Sequence, residues 1–153
     1  VHIGSDHAGY ELKNALVALL RTDGHEVVDH GPAQLDPEDD YPTFCIPTAQ
    51  AVMADPGSLG IVLGGSGNGE QMAANKVKGV RAALAYDLET ATLAREHNNA
   101  NVISLGARKL DETAAAELVR AFLDTEFSAA PRHARRIALL DTYEATGSLP
   151  GQD

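Results

Sequence analysis

Leu63-Gly64-Gly65-Ser66-Gly67-Asn68-Gly69-Glu70-Gln71-Met72-Ala73-Ala74-Asn75-Lys76 packs four glycines into six residues, between an apolar run (Leu59 to Leu63) and a helix-forming one (Glu70 to Ala74). Strand, glycine loop and helix start is a geometry that aims backbone N–H groups at an anion or a developing oxyanion. Two better-known loops of this type are excluded. A P-loop needs Gly-Lys-Ser/Thr at its end, and here Gly69 precedes Glu70 and Gln71. A dinucleotide fingerprint needs a last glycine three residues after Gly67, and that place is held by Glu70. A carboxylate is electrostatically favoured at a helix N-terminus but repels a phosphate in the same loop. The loop is therefore read as holding an uncharged or oxyanion part of a substrate, with Glu70 available as a base. The competing reading is a tight strand-to-helix turn in which Glu70 only complements the helix dipole.

Outward from this run, strands and helices alternate. Upstream, Val1 to Gly4 reads as a first strand and Ser5 to Gly9 as a turn. Tyr10 to Arg21 reads as a helix with Leu12, Leu16 and Leu19/Leu20 on one face. Glu26 to Asp29 is a second strand, His30 to Pro42 a polar loop, and Thr43 to Ala54 a helix with Pro47 in its first turn. Downstream, Val80 to Ala85 is a fourth strand, and Asp87 caps a helix reaching about His97. Val102 to Leu105 is a fifth strand, Asp111 caps a helix to about Phe122, and a last helix spans roughly Pro131 to Thr146. The pattern predicts one domain over residues 1–153: a Rossmann-like, doubly wound sheet of about five parallel strands, helices on both faces, an added C-terminal helix and a loose tail from Gly147. Ligands of such sheets bind outside the carboxyl ends of the strands. This reading places Asp6-His7, Gly64 to Glu70, Asn98/Asn99 and Arg108 together on that rim.

Composition narrows the class. At 153 residues the chain can bury a sizeable core. A net charge of −10 disfavours nucleic acid and anionic membranes as partners. No run is long and apolar enough to span a membrane, and no signal-peptide pattern precedes the first strand. The single cysteine, Cys45, forms no internal disulfide, which fits a cytoplasmic protein. In so acidic a chain an anionic substrate needs a local basic patch. Arg132 and Arg136 lie four apart on one face of the last helix, equally a solvated surface or an anion clamp, since arginine forks match phosphate oxygens. Asp6-His7 reads as a local hydrogen-bonded pair or, joined by His2, as a metal site. His97 with Asn98 and Asn99 reads as a helix C-cap or as substrate contacts. A carboxylate base, a loop of N–H donors and a phosphate anchor, with no obvious nucleophile and no cofactor fingerprint, best suit proton abstraction beside the carbonyl of a phosphorylated small molecule.

Gly4-Ser5-Asp6-His7-Ala8-Gly9-Tyr10, Asp40-Tyr41-Pro42, Gly65-Ser66-Gly67-Asn68-Gly69, Ala73-Ala74-Asn75-Lys76 and His97-Asn98-Asn99-Ala100-Asn101 together resemble the ribose-5-phosphate isomerase B family, which also holds galactose-6-phosphate isomerase subunits. The resemblance runs along essentially the whole chain. It implies an aldose–ketose isomerase of the non-oxidative pentose phosphate pathway, working without metal or other cofactor through a cis-enediolate. It implies Glu70 as proton shuttle and His97 as the acid that opens the furanose ring. Asp6, His7, Tyr41, Asn98 and Arg108 become sugar-phosphate contacts, Gly65, Ser66, Gly67, Asn68 and Gly69 the enediolate loop, and Arg132 and Arg136 phosphate ligands. It further implies a homodimer or higher assembly, with His97, Asn98 and Arg108 reaching the neighbour's site. Many members carry a catalytic cysteine where this chain has Gly64; a second, actinobacterial branch places a glutamate at the position of Glu70, and this sequence resembles that branch. The alternatives are a hexose 6-phosphate isomerase (allose or galactose type) and a non-catalytic sugar-phosphate-binding protein.

Overall fold

The computed structural model describes residues 1–151. Its elements are β1 (His2–Ser5), a 3-10 turn (His7–Gly9), α1 (Tyr10–Thr22), β2 (Val28–Asp29), α2 (Pro42–Ala54), β3 (Gly60–Gly64) and α3 (Asn68–Ala74). β4 (Ala82–Leu84), α4 (Leu88–Asn98), β5 (Val102–Gly106), α5 (Glu112–Asp124) and α6 (Pro131–Thr146) complete the chain. The strands form one parallel five-stranded sheet, as the alternation of elements predicts, in the order β2-β1-β3-β5-β4. Gln152 and Asp153, the end of the expected loose tail, lie outside the described residues.

The two-residue period of the strands divides the core between the sheet's faces. Ile61, Leu63, Ile103 and Leu105 pack with Ile3 against Leu16 and Leu20 of α1, Ala91 and Ala94 of α4, and Val119 and Phe122 of α5. Val62 and Val102, one register step away, pack on the opposite side against Cys45, Ala49 and Val52 of α2 and Ala73 and Ala74 of α3. Burial on both faces explains why β3 and β5 read as continuous apolar runs rather than alternating ones.

Three of the boundaries that differ from the sequence reading have a direct structural cause. β2 shrinks to Val28–Asp29 because it pairs on one side only, with β1. β4 starts at Ala82 because Arg81 N–H donates to the Asn101 side chain at 2.8 Å, outside the strand ladder. α3 starts at Asn68 because Gly67, at φ 83°, forms its left-handed N-cap; Glu70 therefore lies inside the first turn. The rim assignment also needs correction. Asp6-His7, the glycine loop and Arg108 follow strands β1, β3 and β5, but Asn98 and Asn99 precede β5. Asn101 C=O accepts from Gly60 N–H, at the start of β3, so the His97-Asn98-Asn99 segment sits at the amino rim. A parallel strand fed by a helix must receive it there.

Candidate active site

At the carboxyl rim, β1 delivers Asp6 next to the end of β3, with Asp6 N–H donating to Leu63 C=O at 3.2 Å. Asp6 is 7% exposed. Its Oδ1 accepts from Ala8 N–H at 2.9 Å and Gly9 N–H at 3.2 Å, capping the 3-10 turn. His7 follows, with its backbone N–H and its Nδ1 both 2.8 Å from Asp39 Oδ1.

The glycine loop is shaped by what lies over each Cα. At Gly64 a Cβ would fall 1.8 Å from Glu70 Oε1, so the carboxylate occupies the volume a side chain there would need. At Gly67 a Cβ would meet Leu84 Cδ1 at 2.5 Å, in a backbone conformation that already favours glycine. Ser104 Oγ donates to Gly67 C=O at 2.7 Å and fixes the turn from below. The Tyr41 ring lies over Gly69 and the Arg108 guanidinium over Gly65. Tyr41, Gly65, Ser66, Gly69, Glu70, Arg108 and Lys109 line one cavity of about 410 Å³.

Glu70 is 4% exposed and its Oε2 is buried with no hydrogen-bond partner among the described residues. Burial raises its pKa above the ordinary carboxylate range, and the nearby Asp6 charge adds to the rise; backbone N–H groups of Glu70 and Gly67 oppose it. A carboxylate so placed is a stronger base than a solvated one, while its neighbour Arg108 supplies positive charge for an anionic ligand. Burial also pushes the Cys45 thiol up, out of the thiolate range, with Glu70 and Asp6 adding to the effect. It is fully buried in α2.

The remaining candidates form a second group. His97 and Asn98 end α4, and Asn99, at φ 44°, is its left-handed C-cap. Asn98 is exposed, and its C=O accepts from Arg81 Nε at 3.0 Å. The His97 ring lies 4.2 Å, centroid to centroid, from that of His133. Arg132 Nε donates to His133 Nε2 at 3.1 Å. That bond requires Nε2 to be the acceptor, so Nδ1 carries the proton and donates to Ser128 Oγ at 2.9 Å. His133 is 4% exposed, and burial first, then His97, Arg132 and Arg136, hold its pKa below the ordinary imidazole value. A neutral histidine thus seats Arg132. Arg132 and Arg136 are both exposed on α6.

The chain therefore brings together Asp6, His7, Tyr41, Gly65 to Gly69, Glu70 and Arg108 at one rim. It does not bring His97, Asn98, Arg132 or Arg136 to them. Arg108 belongs to the first group, beside the loop of its own chain, rather than with His97 and Asn98 as the resemblance suggested. Nor do His2, Asp6 and His7 converge: His2 Nδ1 faces His30 Nε2 at 3.0 Å and its Nε2 faces Asp55 Oδ2 at 3.1 Å. No group of three or more potential metal ligands occurs among the described residues. Sequence reasoning missed Asp39, Lys109, Ser128 and His133. Asp39 meets His7 across 32 positions, a separation that leaves no local pattern; His133 was legible only as the neighbour of Arg132.

The fold and this rim define a doubly wound α/β protein with a buried carboxylate at the end of a glycine loop. The ribose/galactose isomerase family profile matches residues 1–140. The ribose-5-phosphate isomerase B of Mycolicibacterium paratuberculosis is 56% identical over 150 residues, covering 98% of this chain and 94% of that protein. That of Mycobacterium tuberculosis strain H37Rv is 55% identical over the same length, covering 98% and 93%. The structure of Mycoplasma genitalium ribose-5-phosphate isomerase B with bound ribulose-5-phosphate superposes with a TM-score of 0.90 at 42% identity, covering 95% of each chain. The Clostridium thermocellum enzyme gives 0.91 at 39%, covering 96% and 98%. This chain belongs to the ribose/galactose isomerase family.

Proposed function

We propose that the protein is an aldose–ketose isomerase interconverting D-ribose 5-phosphate and D-ribulose 5-phosphate, in the cytoplasm, as a homodimer. The observation that carries the reading is Glu70: a buried carboxylate with a raised pKa, lying over Gly64 and opening on a cavity shared with Arg108. In the open-chain aldose Glu70 takes the proton from C2. The C–H electron pair becomes the C1–C2 double bond, and O1 takes up negative charge facing the N–H groups of Gly65 to Gly69. A proton passes from O2 to O1. Glu70 then returns its proton to C1, leaving the ketone at C2. Every atom is conserved and the step requires no oxidant; the base and the loop suffice without a metal.

Asp6, His7, Tyr41 and Arg108 hold the sugar phosphate from the same chain. His97, the ring-opening acid, with Asn98, Arg132 and Arg136, comes from a second copy, because the fold keeps this group at the opposite rim of its own sheet. A surface for that copy lies along the β4 edge, where a groove of about 390 Å³ between α3 and α6 contains Asn98 and Leu140. Met72, Tyr86 and Leu88 are exposed on the flanking segments. The reading is tested with a panel of pentose 5-phosphates and hexose 6-phosphates scored by kcat/KM. Ribose 5-phosphate is expected to lead. A leading hexose 6-phosphate would reassign the substrate, and isomerisation of none would remove the enzyme reading.

A further inference from the structure

The loop between β2 and α2 crosses the candidate site twice within three residues. Tyr41 lies over Gly69, and Asp39 meets His7. The rest of the loop is anchored elsewhere: Gly31 C=O accepts from Ser5 N–H at 3.0 Å, and Tyr10 Oη donates to Ala33 C=O at 3.3 Å. One oxygen of Asp39, Oδ1, takes both the backbone N–H and the ring Nδ1 of His7 at 2.8 Å. The Asp39 side chain is only 9% exposed, and its Oδ2 has no partner among the described residues. A carboxylate only accepts, so His7 must carry a proton on Nδ1. The bond to the backbone N–H fixes the residue, and the bond to Nδ1–H fixes the ring, the arrangement by which one histidine nitrogen is committed so that the other is defined.

We propose that Asp39 is the positioning residue of the site: it commits His7 Nδ1–H and turns Nε2 toward the anionic substrate as a hydrogen-bond donor. The proposal rests on the isomerase reading for the identity of the anion, a sugar phosphate. The charged groups facing His7 are Asp39, from the loop, and Asp6, from the end of β1. Both favour the imidazolium, the Asp39 hydrogen bond most, while burial opposes it; His7 is held above the ordinary imidazole pKa. In a rim that also carries Asp6 and Glu70, this favours the cationic form of His7.

The test follows the His7 ring nitrogens by NMR in unliganded protein with isotope-labelled histidine, in wild type and in Asp39→Asn and Asp39→Ala. In wild type His7 should be protonated on Nδ1 and titrate above free imidazole. In Asp39→Asn, which keeps the shape, the midpoint should fall; in Asp39→Ala both neutral tautomers should appear. Steady-state kinetics with ribose 5-phosphate should show KM rising in the interval between the wild-type and variant midpoints, by more than kcat falls. Unchanged tautomer and midpoint in folded variants would overturn the proposal, as would altered His7 titration with an unmoved KM profile. The NMR arm needs no substrate, so a wild-type protein without turnover would sink the isomerase reading alone.

Discussion

Glu70 is a buried carboxylate and, in the proposed reaction, the base, and both have measurable consequences. Glu70→Gln keeps the shape and removes the base, so kcat should fall by roughly 10²–10⁴-fold; near-wild-type kcat would exclude Glu70 as the shuttle. The same variant should be more stable near neutral pH. The folded pKa of Glu70 is raised, so the folded state binds this proton more tightly than the unfolded chain. Its contribution is most favourable below the ordinary carboxylate range and is lost as pH rises through the raised value. Thermal melts should therefore show Glu70→Gln gaining Tm at neutral pH, with the gain fading on acidification. Because the Asp6 charge helps raise Glu70, Asp6→Asn should move the acid limb of the kcat/KM profile to lower pH. An unmoved limb would mean burial alone sets the base. Cys45 lies close to these groups, but its thiol is buried and pushed away from ionisation. Cys45→Ala should keep kcat within a few-fold, and a loss on the Glu70→Gln scale would show that sulfur takes part.

At the scale of elements, α6 matters through its first turn. Pro131 starts it, Arg132 and Arg136 share a face, and His133 turns inward to hold Arg132 and stack on His97. Removing His133 takes away the seat of a charged donor, a loss on the order of 1.5–3 kcal/mol for such bonds. His133→Ala should thus raise KM by about tenfold or more, and Arg132→Ala should act in the same direction; equal KM for ribose and its phosphate ester in wild type would dismiss the clamp. Helix spacing made the arginine pair legible, because i and i+4 share a face whatever the tertiary context. It could not reveal His133, whose partners Ser128 and His97 come from the preceding loop and α4. Likewise the apolar runs of β3 and β5 were readable as buried strands, while β2 and β4, short and paired on one side, lost residues to loop and side-chain contacts. The His97-Asn98-Asn99 segment was readable as a motif but assigned to the wrong rim, because residue type does not say which end of a strand it adjoins.

For the whole molecule, the separation of two polar groups onto opposite rims is what the proposed homodimer would reunite. Complementation tests this. Glu70→Gln and His97→Ala chains, mixed and allowed to exchange, should regain a fraction of activity, since one site of each heterodimer inherits both intact groups. Heterodimers verified by mass and still inactive would mean that each chain builds its own site. The parallel alternation of strands and helices was legible in the sequence, while the strand order was not; the proposed second chain was implied only by resemblance, since composition and periodicity carry no record of what lies across an interface.

The carboxylate lying over Gly64 also bears on how such proteins change over time. A side chain at position 64 and the acid at position 70 claim the same volume, so the two residues are not free to vary independently. Starting from this sequence, introducing cysteine at 64 first would displace the proposed base. Removing Glu70 first would take that base away with nothing in its place. On the proposed mechanism either order passes through a variant of low activity, which a paired exchange avoids. The glutamate and cysteine branches that the resemblance implies would then be neighbouring solutions separated by a ridge, and Gly64, a residue with no chemistry of its own, marks the side on which this sequence stands.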